Sequence, residues 1–196
     1  MLFVFSGIYL LTADSTSPTA LSSVALEFTL IATVLEYLFL YKRMSRHDVI
    51  SSLGLGMSRL SIKNIGIGIL IFLVMFLIEL SLGTISAATG TGISTNVQLL
   101  LASEPLWFYF FTFTITPICE EVFFRGLMMP RLGIFLSAII FGLSHSSYDS
   151  TFGIDMIFAF IFAVIAGWAL KKTKSLYPSI IAHSLVNILA VIAYLF

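Results

Sequence analysis

Two acidic residues and an arginine stand out at the end of an apolar stretch, where residues 117–125 read PICEEVFFR. Charged side chains inside an apolar span cost about 3 kcal/mol each on insertion scales, so those that persist are functional candidates. Glu121 and Arg125 are four residues apart with the acid first, which is the favourable order for an ion pair on one helical face. Glu120 projects about 100° away around the helix and must find a partner on another helix or bind a proton. Glu120 is therefore the candidate reactive group.

Two further apolar stretches each carry a histidine. His145 ends the run Phe-Gly-Leu-Ser-His, and His183 opens the run His-Ser-Leu-Val-Asn, which places Asn187 four residues later on the same helical face. Glu120, His145, His183 and Asn187 thus belong to three separate helices. Side chains on separate helices meet only in the interior of a bundle, which is where helical proteins build their sites. The sequence therefore predicts one intramembrane polar site.

The composition identifies the solvent around these helices as lipid. Of 196 residues, 59% are hydrophobic and 10% are charged, and the mean hydropathy is +1.06. An ordinary soluble domain carries roughly a quarter charged residues, so this chain cannot build a water-soluble surface. The formal net charge is zero, so no global field attracts nucleic acid. The single cysteine, Cys119, excludes an intramolecular disulfide.

The fold class follows from the lengths of the apolar runs. A membrane-spanning helix needs about 20 apolar residues, and the chain offers a short first stretch, residues 1–12, followed by six longer runs at 19–41, 64–88, 106–127, 131–147, 152–170 and 177–196. We therefore expect an all-α, polytopic transmembrane bundle with six to seven membrane-embedded helices. Residues 1–196 are predicted to form a single integral membrane domain, in which 1–104 carry no motif and 105–196 carry the site.

The basic residues predict the orientation of the bundle. Lys42, Arg43, Arg46, Arg59 and Lys63 follow one run, Arg125 and Arg131 follow another, and Lys171, Lys172 and Lys174 follow a third. The intervening segments 12–18, 89–105 and 148–151 contain no Lys or Arg. Because loops rich in Lys and Arg stay in the cytoplasm, we expect the basic loops and the opening of the site to face the cytoplasm. The longest external connection would be residues 89–105, and the membrane would be the cell membrane.

The three motifs also resemble a known family. Glu-Glu-x-x-x-Arg, Phe-x-x-x-His and His-x-x-x-Asn, in this order and each inside an apolar run, are similar to the motifs of the CAAX-processing and bacteriocin-processing family of membrane proteases, including the type II CAAX prenyl endopeptidases. The resemblance covers roughly residues 105–190. It rests on all three motifs together, since one alone would be weak evidence.

The resemblance implies a glutamate-dependent intramembrane endopeptidase without a metal or another cofactor. Glu120 and His145 would activate a water, and His183 with Asn187 would stabilise the oxyanion. Glu121 and Arg125 would support the site, and Arg125 could also contact the substrate, a peptide or protein at the membrane. This chemistry is sensible in itself, because a desolvated carboxylate is a stronger base and donors in a dry site strongly stabilise a tetrahedral intermediate.

The expected depths of these residues in the membrane do not agree with one another. If Arg131 marks the membrane surface, a straight helix from there to His145 is about 21 Å long, while Glu120 lies only a turn or two from Arg125. Two explanations reconcile these depths. Either Arg125 is drawn inward to pair with Glu121, or residues 126–133, with Pro130 and Gly133, form a partly submerged bend.

Other readings of the same residues remain open. The motif could serve structure in a noncatalytic membrane scaffold or bacteriocin-immunity protein, with Asn187 only bonding across helices. Glu120, His145 and His183 could instead hold a catalytic zinc, although the chain has no His-Glu-x-x-His signature. A transporter is less favoured because the chain shows no repeated halves. Cys119 is interpreted as a small hydrophobe rather than a nucleophile, and the remaining acids in or near spans are interpreted as packing or interface residues: Glu27, Glu36, Glu79 and Asp155.

Overall fold

The computed structural model describes residues 20–89, 104–145 and 154–195, and these ranges are helical, with no strand among them. The α-helices are α1 (Ala20–Leu35), α2 (Arg46–Ser52), α3 (Ile62–Thr89), α4 (Leu106–Glu120), α5 (Met129–Ser144), α6 (Ile154–Thr173) and α7 (Tyr177–Leu195). A π-helical turn, Glu36–Tyr41, continues α1, and a second one, Glu121–Met128, joins α4 to α5. We call Glu121–Met128 the π segment.

Four helical stretches of the described chain are long and apolar enough to cross a membrane: Ala20–Tyr41, Ile62–Thr84, Leu106–Ser144 and Ile154–Thr173. A fifth apolar stretch, Tyr177–Ala193, is shorter. The all-α, membrane-spanning class is thereby confirmed, whereas the predicted count of six to seven helices is not. The first stretch, residues 1–12, lies outside the described residues, as does most of the external connection predicted at 89–105.

The surface of the bundle is apolar, and small residues allow its helices to approach closely. Large apolar side chains point outward, among them Phe28, Leu77, Phe110, Phe135 and Trp168, as expected where the solvent is lipid. Helix α3 packs along α7, and α5 packs along α6. Gly68 permits the first of these contacts, because a Cβ there would lie 2.9 Å from the carbonyl oxygen of Pro178. Small residues at helix contacts are the usual solution in membranes, where packing drives association.

The three groups of basic residues lie at one end of the bundle. The Arg59 guanidinium donates to the carbonyl of Thr173, at the end of α6. The hydroxyl of Tyr177 donates to the carbonyl of Leu55, so the first and third basic segments are in contact. The guanidinium of Arg131, from the second, lies 4.2 Å from the ring centroid of Tyr37, at the end of the first span. The uncharged segments predicted to alternate with them, 12–18, 89–105 and 148–151, lie almost entirely outside the described residues.

The long helical stretch Leu106–Ser144 reverses direction. Its 39 residues would extend about 58 Å as one straight helix, nearly twice the thickness of the hydrocarbon core. Gly133 instead has φ 79° and ψ 172°, a backbone conformation open essentially to glycine alone. As a result, the guanidinium carbon of Arg125 lies 4.0 Å from the ring centroid of Phe141, 16 positions along the chain. The bend considered as one of two explanations is present and is centred on Gly133, and Arg125 is also drawn inward to pair with Glu121.

Gly133→Ala tests whether this reversal depends on glycine. No heavy atom lies within 4 Å of the position that a Cβ would occupy, so the substitution isolates backbone strain, and we expect the free energy of unfolding to fall by about 1–3 kcal/mol. Reversible denaturation in mixed micelles, followed by circular dichroism, measures this change. The control is Gly66→Ala in α3, which has equal space and no positive φ and should be neutral or slightly stabilising. Equal stability of the two variants would contradict the assignment.

Candidate active site

The end of α4 carries the two glutamates, and its local structure explains how both face inward. Pro117 lies inside α4, four residues before Glu121. Proline lacks the N–H that a regular helix needs, and the π segment begins at Glu121 directly afterwards. A π-helical turn is rare and occurs frequently at functional sites, because it redirects the side chains around it. Glu120 and Glu121 thus stand at the junction between two kinds of helix.

The ion pair predicted within this segment is present. Arg125 Nη1 lies 3.1 Å from Glu121 Oε1, with the two side chains 2% and 0% exposed. The guanidinium also stacks on Phe141 and lies 5.2 Å from the centroid of Phe162. Two buried charges of opposite sign neutralise one another, and the aromatic faces add cation–π attraction. This burial favours a supporting role for Arg125 over direct contact with a substrate.

His183, on α7, lies between the two glutamates. Its Nδ1 is 3.1 Å from Glu121 Oε1, and its Nε2 is 3.7 Å from Glu120 Oε2. Because an ionised carboxylate can only accept, the Nδ1–H donates to Glu121, which fixes the orientation of the ring and places a proton on Nδ1. The sequence analysis expected both histidines near Glu120 but did not foresee that His183 would bridge the two acids.

Glu120 differs from its neighbour in both exposure and bonding. Its side chain is 14% exposed, whereas that of Glu121 is fully buried. Its Oε2 is buried and has no hydrogen-bond partner among the residues that the structure describes. The Oε2 of Glu121 is likewise buried and unbonded, but its Oε1 contacts both Arg125 and His183 at 3.1 Å. The contact of Glu120 to His183 is longer, at 3.7 Å. Of the two glutamates, Glu120 is the one with capacity for chemistry.

Phe141 packs against several groups of the site, although the sequence indicates it only as the first residue of the Phe-x-x-x-His motif. Its ring is almost fully buried and contacts the Arg125 guanidinium on one side. The ring centroids of His145 and His183 lie 4.6 Å and 6.0 Å from that of Phe141. Phe162, on α6, packs against His183 at 5.1 Å. Both phenylalanines therefore pack the imidazoles against the ion pair. The only sequence signal for this packing is the spacing of four residues between Phe141 and His145.

His145 lies at the end of α5 and is oriented by its own helix. Its Nδ1 is 2.8 Å from the carbonyl oxygen of Phe141, so that nitrogen carries the proton and Nε2 is the basic nitrogen of the neutral ring. His145 interacts electrostatically with Glu120, His183 and Arg125. It therefore belongs to the same cluster of polar groups.

Asn187 lies one turn beyond His183 on α7 and bonds across helices. Its Nδ2 donates to the backbone carbonyl of Thr112 on α4, at 2.9 Å. This bond ties α7 to the helix that bears the glutamates. The amide nitrogen that was expected to bind an oxyanion therefore donates to the Thr112 carbonyl in this structure.

The zinc site considered above would need Glu120, His145 and His183 as ligands of one metal ion. Within residues 20–89, 104–145 and 154–195, no group of three or more His, Cys, Asp or Glu side chains is arranged to hold a metal ion. The Nδ1 of His183 is engaged by Glu121, and its Nε2 faces Glu120. Cys119 is buried beside the glutamates as a free thiol.

Comparison with known proteins gives one match. Residues 102–189 match a family model described as "Rce1-like: Type II CAAX prenyl endopeptidase Rce1-like". The matched segment contains Glu120, Glu121 and Arg125 as well as both histidines and Asn187. No curated protein and no solved structure matches the chain.

Arg125→Met tests whether the buried ion pair holds the site together. It would leave the Glu121 charge buried without its cation, and we expect the free energy of unfolding in mixed micelles to fall by about 3–5 kcal/mol. Adding Glu121→Gln to this variant should restore part of the loss, because the uncompensated charge disappears. Arg46→Met, at an exposed arginine in α2, serves as the control, and a loss no larger than its own would refute the role of the pair.

Proposed function

We propose that this chain, of which residues 102–189 belong to the Rce1-like family of type II CAAX prenyl endopeptidases, is a glutamic-type intramembrane endopeptidase. It hydrolyses a peptide bond with a water that Glu120 and His145 activate, and His183 with Asn187 stabilises the oxyanion. The substrate is a peptide or protein that reaches the site from the membrane. The single observation that carries this proposal is the unequal environment of the two glutamates around His183.

The unequal environment gives each acid its own task. Glu121 is neutralised by Arg125 and accepts from His183 Nδ1, so it is committed to structure. Glu120 lies 3.7 Å from the other ring nitrogen of His183 and is more exposed than Glu121. Two titratable groups in different environments are the usual basis for separate roles in acid–base catalysis. Glu120 is accordingly the general base.

The proton balance follows from this assignment. Water gives a proton to the Glu120 carboxylate as its oxygen attacks the scissile carbonyl, and His145 Nε2 orients that water. Glu120 then passes the proton to the leaving amine, so the base is regenerated without a cofactor. Such general acid–base catalysis accelerates a reaction typically about 10²–10⁴-fold.

The oxyanion requires a donor on the side of His183 that faces away from Glu121. With Nδ1–H committed to Glu121, His183 donates from Nε2 only when it carries both protons. Two carboxylates and one guanidinium around the ring stabilise this imidazolium, since the four groups Glu120, Glu121, Arg125 and His183 then sum to zero charge. A neutral cluster is what a lipid-surrounded interior demands. Asn187 would supply the second donor after releasing Thr112.

The basic loops at one end of the bundle support the predicted orientation. Loops rich in Lys and Arg remain in the cytoplasm, so we place this end, and the opening of the site, on the cytoplasmic side of the cell membrane. A substrate bond would then be cut near that membrane face.

Glu120→Gln tests the general base. The amide cannot accept the proton of water, and we expect cleavage of a panel of prenylated and unprenylated C-terminal peptides in proteoliposomes to fall at least about 10²-fold. Glu79→Gln is the matched control, because Glu79 is a mid-span glutamate on the exposed surface of α3 and should not alter the rate. Unchanged cleavage in Glu120→Gln would end the assignment.

The same assay separates the two other functions. A scaffold or immunity protein would cleave none of the peptides, and its partner binding would survive Glu120→Gln. A zinc peptidase would lose activity with a chelator and regain it with zinc. We expect the chelator to have no effect.

Asn187→Ala distinguishes the oxyanion role from the structural one. If Asn187 stabilises the oxyanion, kcat should fall about 10²–10³-fold, as when one such donor is removed elsewhere. If it serves only to bond Thr112, the variant should lose about 1 kcal/mol of stability and keep its kcat. We expect the loss of kcat, measured in parallel with denaturation in micelles.

A further inference from the structure

Glu27 is a buried acid that the three motifs do not include. It lies in the middle of α1, where the sequence predicts no motif, and its side chain is only 4% exposed. Its Oε2 is buried without a hydrogen-bond partner within the described part of the chain. A buried carboxylate with an unbonded oxygen is expensive in lipid, so packing alone is a poor explanation for this residue.

The fold brings Glu27 next to the catalytic glutamate. Helix α1 packs against both α4 and the π segment. Glu27 and Glu120 interact electrostatically, and both also interact with Cys119, the residue immediately before Glu120. Each of the two acids has a buried, unbonded Oε2. Helix α1 contributes the carboxyl group of Glu27, and α4 contributes that of Glu120, to one buried region between the two helices.

The charges around this place determine how many protons it holds. Arg125 balances Glu121, and a doubly protonated His183 balances one ionised Glu120. An ionised Glu27 would then leave the cluster with one uncompensated negative charge beside a second carboxylate. Two like charges that share a buried site cannot both ionise readily, and such pairs retain one proton.

We propose that Glu27 is a positioning residue for Glu120, and that the two carboxyl groups from α1 and α4 share one proton in the resting protein. The observation behind this proposal is the pair of buried, unbonded carboxyl oxygens on two packed helices. The protonated Glu27 donates to the Glu120 carboxylate, which directs the remaining lone pairs of Glu120 at the attacking water.

The effect of Glu27 on hydrolysis rests on the proposed function, whereas the shared proton does not. In the reaction, Glu120 takes one proton from water while Glu27 keeps its own, so both are protonated in the tetrahedral intermediate. Glu120 then gives its proton to the leaving amine, and the pair returns to one shared proton. Glu27 neither gains nor loses a proton over the cycle.

Other titratable groups near Glu27 must be considered in any pH experiment. They belong to the two segments packed against α1 and to the turn that continues it: Tyr109, Cys119, Glu120, Glu121, Arg125, Glu36, Tyr37 and Tyr41. Among them, Glu120 is the group that acts electrostatically on Glu27. The variants below therefore change Glu27 and Glu120 separately and together.

Infrared titration of the purified protein in lipid tests the shared proton without any substrate. In the difference spectrum between the wild-type protein and Glu27→Gln, we expect a protonated carboxyl band from Glu27 at neutral pH. In the Glu120→Gln background, the pH at which this band titrates should shift by at least about one pH unit. The double variant should lack both signals. A Glu27 band that titrates identically with and without Glu120, or no Glu27 band at all, would overturn the proposal.

The pH dependence of cleavage tests the effect on the reaction. Glu27→Gln keeps a donor but has no proton to lose, so the alkaline limb of the kcat profile should move upward by at least about one pH unit. Glu27→Leu removes the donor, so we expect kcat at the wild-type optimum to fall at least about tenfold with KM unchanged. Glu79→Gln is the matched intramembrane control, with a wild-type profile.

The two tests distinguish failure of the proposed function from failure of the role proposed for Glu27. Absence of cleavage by the wild-type protein would reject the proposed function and leave the infrared result to decide the shared proton. Normal cleavage combined with an unchanged pH profile in Glu27→Gln would instead reject the role of Glu27 while the protease assignment stands. Circular dichroism of each variant in micelles confirms that the compared proteins are folded.

Discussion

The ion pair between Glu121 and Arg125 is the interaction on which the rest of the site depends. Both side chains are buried in a bundle that lipid surrounds, and there a lone charge would be prohibitively costly. Once Arg125 neutralises Glu121, that carboxylate can accept from His183, and the acceptor fixes which nitrogen of the imidazole carries the proton. The other nitrogen then faces Glu120. A single salt bridge thereby determines the orientation of the histidine that faces the second glutamate.

The ion pair needs a second constraint, which the chain supplies at Gly133. A straight helix would carry Phe141 and His145 far from Arg125, whereas the positive φ at Gly133 returns α5 alongside the π segment. The aromatic ring of Phe141 then covers the guanidinium and separates it from lipid. Phe162 covers it from α6. Aromatic rings suit this buried position because they pack as apolar side chains and still attract a cation through their faces.

The sequence predicted those features that depend on local spacing or on composition. The all-α membrane class follows from apolar run lengths, and the ion pair follows from an i, i+4 spacing. The depth mismatch between Arg131 and His145 left an inward Arg125 and a bend at 126–133 as two open explanations. The sequence could not predict contacts between distant segments: His183 bridging two acids, or Asn187 bonding to Thr112. These depend on how helices rotate and cross, which side-chain packing determines. Glu27 was interpreted as a packing residue for the same reason, since its neighbours lie about 90 positions away in the chain.

The electrostatics of the cluster also explain why an acid, and not the adjacent thiol, is suited to be the reactive group. Cys119 is buried and lies beside Glu27 and Glu120, so a thiolate there would add a third negative charge to a region already short of cations. A carboxyl pair avoids this cost, because one retained proton leaves a single charge that His183 can balance. Helix α1 therefore contributes an acidic group near the site as well as packing surface. In the shared-proton arrangement proposed above, Glu27 determines which neighbouring groups ionise, and this favours a water activated by a carboxylate over a thiolate nucleophile.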